Sequence, residues 1–179
     1  MDFVLNPPQM AGPIAIGMPF VDAENVLHSL DGYRPPIPGQ YVNAGFADFE
    51  SGLSVSIGRG HDGTVESVEV FRPDRDVTVI CRGLPVFELP ADEVVRRLSE
   101  ITAIEIEDEG MRVVAPELLL SLWRSVLPDG PDDEDGRYFE AALVAAPGYH
   151  GTPADFEPAN DVGGGSASEP SDGAQGSLF

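Results

Sequence analysis

Apolar and polar residues alternate through residues 46–71, and this pattern predicts a β-hairpin. The alternation is regular at residues 53–58, and in a second run, residues 65–70, Val65, Val68 and Val70 recur among polar residues. It is typical of strands that bury one face and leave the other in solvent. Asp62-Gly63 lies between the runs and readily adopts the positive φ of a tight turn. We therefore expect the two strands to pair antiparallel.

Apolar residues at helical spacing predict two short helices. The first covers residues 20–30, with Asp22 as the expected N-cap and Asp31-Gly32 as the end. The second begins at Pro90, a residue suited to a first helical turn because its missing N–H is not needed there. The expected apolar faces contain Ala23, Val26, Leu27 and Leu30 in the first helix and Val94, Val95 and Leu98 in the second.

Further strands are expected at residues 77–81, 101–107, 111–114 and 138–144. The apolar run from Leu118 to Val126 is bracketed by prolines and fits either a strand or a helix, and we favour a strand. Residues 33–40 contain three prolines, so an extended connector without regular structure is expected there.

These elements predict an α+β domain over residues 1–150, with an antiparallel β-sheet and two short helices. The apolar positions of the two helices also match at an offset of 68, since Val26 lies over Val94 and Leu30 over Leu98. Such a match suggests a tandem α-β-β-β repeat, with units 12–81 and 82–149. Residues 151–179 are acidic, lack arginine and have few large apolar groups, so a disordered C-terminal tail is expected.

The charge balance excludes binding to nucleic acid through its phosphates. The chain has 179 residues, with 31 acidic residues against 10 basic ones, and all ten are arginine. A net charge of −21 would repel a polyanion. No run approaches the roughly 18 apolar residues that span a bilayer, and no basic residue precedes Arg34. We expect a cytoplasmic protein that does not bind membranes.

None of the candidate chemical motifs predicts catalysis, a metal site or a cofactor. Residues 58–63 match G-x-G-x-x-G, but a strand is expected after them and not the helix that would hold a pyrophosphate. Residues 129–136 resemble a calcium loop, yet the spacing places proline and alanine where carboxylates are required. The single cysteine, Cys81, lies in an apolar run and is expected to be a buried structural thiol. The three histidines, His28, His61 and His150, are far apart in the sequence.

Acidic clusters and aromatic residues are the candidates for binding another protein. A strongly acidic protein can capture a basic partner by long-range steering and hold it through a few aromatic anchors. An acidic surface that serves only solubility is an equally good interpretation of the charge. A small-molecule-binding domain or a small enzyme is the other alternative. The candidate partner-binding residues are Glu66, Glu69, Glu105, Glu107, Asp108, Asp132 and Asp133, with Trp123, Arg124, Tyr138 and Phe139 as anchors.

The segment from Gly12 to Pro19, followed by Val26, Leu27 and Leu30, resembles the opening of bacterial helix-plus-sheet modules of the BamE (SmpA/OmlA) kind. It is also similar to the opening of immunity-type proteins from polymorphic toxin systems, and β-lactamase-inhibitor proteins share the general architecture. The chain departs from the secreted families because it lacks a lipobox cysteine near its start. The resemblance implies an immunity or inhibitor protein that neutralises a basic bacterial toxin.

Overall fold

The computed structural model describes residues 1–130, 133–134 and 136–149. These residues form an α+β structure with two helices and two sheets, one of five strands and one of eight. The tail expected at residues 151–179 lies outside the described residues.

In chain order, two helices interrupt a series of short strands. The helices are α1 (Phe20–Ser29) and α2 (Ala91–Ser99). Single 3₁₀ turns cover Asp108–Gly110 and Pro116–Leu118. The strands are β1 (Asp2–Asn6), β2 (Met10–Ala11), β3 (Ile14–Ala15), β4 (Tyr33–Arg34), β5 (Phe46–Phe49), β6 (Ser54–Arg59), β7 (Val65–Phe71), β8 (Thr78–Cys81), β9 (Leu84–Pro85), β10 (Glu105–Glu107), β11 (Arg112–Ala115), β12 (Leu120–Trp123) and β13 (Ala141–Ala145).

The larger sheet is antiparallel and consists of two four-stranded meanders. Its order is β10-β11-β12-β13-β7-β6-β5-β4, so the last strands of the two meanders lie side by side. β7 and β13 pair over five residues, from Phe71 opposite Ala141 to Ser67 opposite Ala145. The predicted hairpin is confirmed as β6 and β7, and the predicted strand in the apolar run after Pro116 is confirmed as β12.

The smaller sheet is mixed, and the sequence did not predict it. Its order is β3-β2-β1-β8-β9, with β1 antiparallel to β2 and parallel to β8. The strand expected at residues 77–81 therefore belongs to a second sheet. Phe3 and Leu5 of β1 are buried, whereas Val4 is 50% exposed, so this short strand alternates like the others.

The same order of elements occurs twice. A two-stranded hairpin, a helix and a four-stranded meander follow one another from β2 to β7 and again from β8 to β13. The buried helical residues correspond at an offset of 71, with Ala23 matching Val94 and Leu27 matching Leu98, so the alignment at 68 was wrong. The prolines that precede the helices, Pro19 and Pro90, keep the offset of 71. β1 lies between the two hairpins and has no counterpart among the described residues.

One continuous core joins both sheets and both helices. Phe3 of β1, Leu27 of α1, Leu98 of α2 and Leu122 of β12 are each at most 2% exposed and belong to the same apolar cluster. In the eight-stranded sheet only one face contributes to this core, because burial alternates along β6 and β12. The two helices thus define a sealed face of the larger sheet and leave its other face uncovered by them.

Local differences from the predictions have simple causes. The N-cap of α1 is Pro19, and Asp22 lies in the first helical turn. Residues 33–40 were expected to have no regular structure, but Tyr33 and Arg34 pair with β5. The strand predicted at residues 101–107 is shorter than expected, because only Glu105–Glu107 pairs with β11. The last strand begins at Ala141 and not at Tyr138, because Phe139 turns into the core.

Leucine-to-alanine substitutions on the two faces of the eight-stranded sheet should lower the free energy of unfolding by different amounts. Leu122→Ala opens a cavity in the core and should lower the free energy of unfolding by roughly 2–5 kcal/mol. Leu143→Ala, on the other face of the neighbouring strand, is the matched control and should cost clearly less. Urea denaturation followed by circular dichroism measures both. Equal losses of unfolding free energy for the two variants would mean that Leu143 is also buried under a second layer of structure.

Candidate functional site

The uncovered face of the eight-stranded sheet is the best candidate for a functional surface, and we call it the open face. Strand register aligns its side chains into two rows that cross the sheet. Phe46, Ser56, Glu69, Leu143, Ser121, Val114 and Glu105 form the first row. Arg34, Asp48, Ser54, Phe71, Ala141, Trp123, Arg112 and Glu107 form the second, and Arg34 at its β4 end is exposed.

Glu69 lies inside the first row, between Ser56 on β6 and Leu143 on β13. Burial raises the pKa of its carboxyl group above the ordinary value. No described residue forms a hydrogen bond or an ion pair with this carboxylate. Its neighbours are small or apolar and supply no positive charge. The open face therefore holds a half-buried negative charge that the rest of the described chain does not neutralise.

At the β10 end of the open face the charges are partly compensated. The guanidinium of Arg112 forms an ion pair with Glu107, with 2.9 Å between Nη1 and Oε2. The same guanidinium donates a hydrogen bond from Nε to the Ser121 hydroxyl, at 3.2 Å. Glu105 extends beyond this pair and is exposed. The carboxylates of the face that form no ion pair among the described residues are therefore Glu69, Glu105 and Asp48.

Trp123 and two phenylalanines supply aromatic surface to the open face. Trp123 is half-buried and lies opposite Ala141, which separates it from Phe71 in the second row. Phe46 stands at the far end of the first row. Ala141 between two of these rings is only 1% exposed, whereas Trp123 and Phe71 are partly exposed, so the rings are the groups that an incoming protein could contact there.

Four of the predicted partner-binding residues lie on the open face, and the other described ones lie elsewhere in the fold. Glu69, Glu105, Glu107 and Trp123 share the face. Glu66 lies at the register shift between β6 and β7. Asp108 is exposed in a 3₁₀ turn, and Asp133 accepts a hydrogen bond from the Asp129 backbone N–H at 2.9 Å. Asp132 lies outside the described residues.

Tyr138 lies away from the open face, between two arginines. The guanidinium carbon of Arg72 is 4.5 Å from the centre of its ring, and that of Arg137 is 5.7 Å away. Both arginines interact favourably with the face of the ring. Tyr138 also lines a shallow depression beside Phe87 and β8.

The expectation that Arg124 and Phe139 act as interface anchors is wrong. Phe139 is fully buried, and Arg124 is only 6% exposed. The Arg124 guanidinium donates to the carbonyl oxygens of Gly110 (3.0 Å) and Gly136 (2.8 Å) and lies 3.5 Å from the Asp92 carboxylate. It therefore ties two loops and the start of α2 together.

Two other chemical predictions are settled by local geometry. Residues 60–64 form a turn in which the Thr64 N–H and hydroxyl donate to the Asp62 carboxylate, at 3.0 and 2.7 Å, so the hairpin interpretation of the glycine motif is confirmed. Burial raises the pKa of the Cys81 thiol to about 11, which leaves very little thiolate near neutral pH. This makes Cys81 a structural residue.

Within residues 1–130, 133–134 and 136–149, no three histidine, cysteine or acidic side chains converge to hold a metal ion. In the same part of the chain no helix is long and apolar enough to cross a membrane.

A groove next to the open face was not predicted from the sequence. It has a volume of about 580 Å³ and lies between α1, β5 and the connector at residues 35–44. His28 stacks on Tyr33 with 4.5 Å between ring centres, and Tyr33 meets Phe49 edge-on at 6.2 Å. The aromatic residues at positions 33, 46 and 49 are the feature of the sequence that could have indicated this groove. They come together only because β4 pairs with β5 across the long connector, and the sequence pattern did not predict that pairing.

Comparison with protein-family models, with curated proteins and with solved structures finds no significant match to this chain. The resemblance to immunity-type and BamE-like proteins stays a prediction.

Replacing Arg124 should destabilise the fold. Arg124→Ala removes two charge-assisted hydrogen bonds to loop carbonyls and should lower the free energy of unfolding by about 2–4 kcal/mol. Arg72→Ala is the control, because the side chain of this exposed arginine contacts the Tyr138 ring and forms no ion pair with a described residue, and it should cost less than about 1 kcal/mol. Guanidinium denaturation measures both. An Arg124→Ala protein as stable as the wild type would contradict a structural role.

Neutralising Glu69 should stabilise the free protein near neutral pH. The pKa of Glu69 is higher in the folded state than the ordinary value of 4.5 that applies to the unfolded chain. Ionisation of Glu69 therefore lowers the free energy of unfolding, in full once the pH is above the folded-state pKa. Below about pH 4.5 the group is protonated in both states, and this loss disappears. Glu69→Gln should therefore be more stable than the wild type at pH 7, and the difference should vanish below about pH 4. Denaturation measured across this pH range tests the prediction.

Glu105→Gln, at an exposed position of the same face, is the matched control and should stay within about 0.5 kcal/mol of the wild type. A Glu69→Gln protein that is less stable than the wild type at pH 7 would show that the carboxylate has a favourable partner in the free protein.

Proposed function

We propose that this chain is a non-catalytic protein-binding module that covers a basic surface of another protein with its open face. The observation that carries the proposal is Glu69, a half-buried carboxylate without a partner among the described residues. Acidic residues that serve solubility belong at exposed positions, where a charge costs nothing. A charge that is partly withdrawn from water reduces stability, and a lysine or arginine from a partner would compensate it.

The dimensions of the open face suit this role. Eight strands spaced about 4.8 Å apart give a width of roughly 34 Å, and five residues along a strand give about 17 Å. The projected area of about 600 Å² approaches the roughly 800 Å² that each partner buries in a standard interface. Trp123, Phe71 and Phe46 provide aromatic contacts of the type that dominates binding energy.

The finer proposal is that the module is an immunity or inhibitor protein and that its partner is a basic bacterial toxin. The net charge of −21 favours rapid association with a positively charged surface. A nuclease active site is one such surface, because it holds phosphate groups. An acidic face that covers this site would block access by occupying it.

The groove between α1 and β5 supports a second candidate function, the binding of a small molecule. Its volume of about 580 Å³ falls within the usual range for ligand pockets. Both carboxylates in its wall are already engaged, since Glu24 accepts the Gly45 N–H and Asp48 accepts the Ser54 hydroxyl. Besides aromatic surface, the groove offers the guanidinium of Arg34, which is exposed in its wall and has no side-chain partner among the described residues. Because this charge is solvated and that of Glu69 is half-buried, the open face carries the stronger argument.

Affinity capture followed by charge reversal tests the proposed function. The tagged chain should recover one basic protein from a lysate of the cells that produce it. With that protein purified, the association rate should fall steeply between about 50 and 500 mM salt, because screening shortens the reach of the charges. Glu69→Lys and Glu105→Lys should each weaken the complex at least tenfold, as biolayer interferometry would measure.

Asp2→Lys is the matched control, because it reverses a charge on the exposed side of the five-stranded sheet. It should change the affinity much less than the two reversals on the open face. Equal effects of all three variants would mean that only the overall charge matters. Recovery of no basic protein would remove the basis of the proposal.

A further inference from the structure

The connector at residues 35–44 presents the two most exposed large apolar side chains of the described chain. Tyr41 is 89% exposed and Ile37 is 72% exposed. Each square ångström of apolar surface in water costs about 25 cal/mol relative to burial, so two such side chains together are a liability in a free protein. Tyrosine is also among the residue types that most often carry interface energy.

The tip of the connector is shaped by its own sequence. The Gln40 N–H donates to the Ile37 carbonyl oxygen at 2.9 Å, and Gly39 between them has φ of +88°. Pro38 precedes Gly39, and this Pro-Gly order is the preferred one for a type II turn. Three prolines in the segment restrict its backbone further, which lowers the entropy that binding would remove.

The base of the connector is fixed to the fold at Gly45. Its N–H donates to the Glu24 carboxylate on α1 at 2.8 Å, and its carbonyl oxygen accepts the Ile57 N–H of β6 at 2.9 Å. Gly45 has φ of +79°, and a Cβ atom there would lie 2.5 Å from the Ile57 carbonyl oxygen. Glycine is therefore required, and the connector leaves the sheet in a defined direction.

The connector continues the open face. Phe46, Asp48 and Ser54 belong to the open face and also line the groove that the connector frames. A protein that covers the β5 end of the open face would therefore meet the connector. Because the large exposed side chains of the connector, Ile37 and Tyr41, are apolar, the matching surface of that protein must include an apolar cleft next to its basic patch.

We propose that the connector is a second contact element, which inserts Ile37 and Tyr41 into an apolar cleft of the same basic protein that the open face covers. This inference rests on the proposed function. The open face supplies charge complementarity and the connector supplies a preorganised apolar anchor. Together they would extend the contact beyond the area of the open face alone.

Photo-crosslinking tests whether one protein contacts both surfaces. The purified chain carries p-benzoylphenylalanine at position 41, at position 123 or at position 4, where Val4 is 50% exposed on the five-stranded sheet. Each form is irradiated in a lysate of the cells that produce the protein. The expected result is one adduct with the same basic protein from positions 41 and 123 and none from position 4.

The other outcomes distinguish the two proposals. An adduct from position 123 but not from 41 overturns the role of the connector and leaves the proposed function standing. An adduct from 41 alone overturns the inference, because the open face is then not part of the contact. A second copy of this chain as the adduct, or no adduct from either position, overturns both; in the latter case a small molecule in the groove becomes the alternative.

Affinity measurements with the crosslinked protein, once purified, complete the test. The double variant Ile37→Ser, Tyr41→Ser should bind at least about 30-fold more weakly, as expected when a tyrosine anchor is lost. Val4→Ser is the matched control and should change the affinity less than twofold. Thermal unfolding of the double variant should match that of the wild type, since neither side chain is buried. An unchanged affinity of the double variant overturns the inference.

Discussion

The antiparallel pairing of β7 with β13 is the contact on which the rest of the structure depends. It joins two meanders that have no local connection to each other, and it does so over five residue pairs. Val68 and Val144 lie opposite each other on the core side, so the pairing seals the apolar interior. The same register places Glu69 beside Leu143 on the other side. Since side chains alternate, a shift by one residue would expose the valines and bury the carboxylate.

The few arginines explain where the acidic charge remains unbalanced. Arg96 and Arg97 hold Glu93 in place on α2, Arg112 holds Glu107, and Arg124 binds loop carbonyls in the interior. Arg112 and Arg34 lie on the open face, but the register neighbours of Glu69 are Leu143 and Ser56, so neither arginine lies directly beside it. The chain has 31 acidic residues and ten arginines, so its net charge is strongly negative and adds to the negative potential at Glu69.

Local patterns predicted the elements, whereas distant pairings decided their arrangement. Alternation was sufficient for β6, β7 and β12, and helical spacing was sufficient for α1 and α2. β1 was missed because it pairs in parallel with a strand 76 positions away, as Leu5 opposite Cys81 shows. Arg124 was misjudged because its burial depends on carbonyl groups that two loops bring to it. Alternation also placed Glu69 and Glu105 on solvated faces of their strands, but only the register across the five strands from β7 to β10 shows that these faces are one surface.

Both edges of the eight-stranded sheet are short. β4 has two residues, and β10 has three, of which two are glutamates. Short, charged edges discourage a further strand from adding to the sheet through backbone hydrogen bonds, a mode that tolerates many sequences. A protein bound on the open face must instead be distinguished by the shape and charge of individual side chains. A few substitutions there could redirect the chain to a different protein while the backbone framework stays the same.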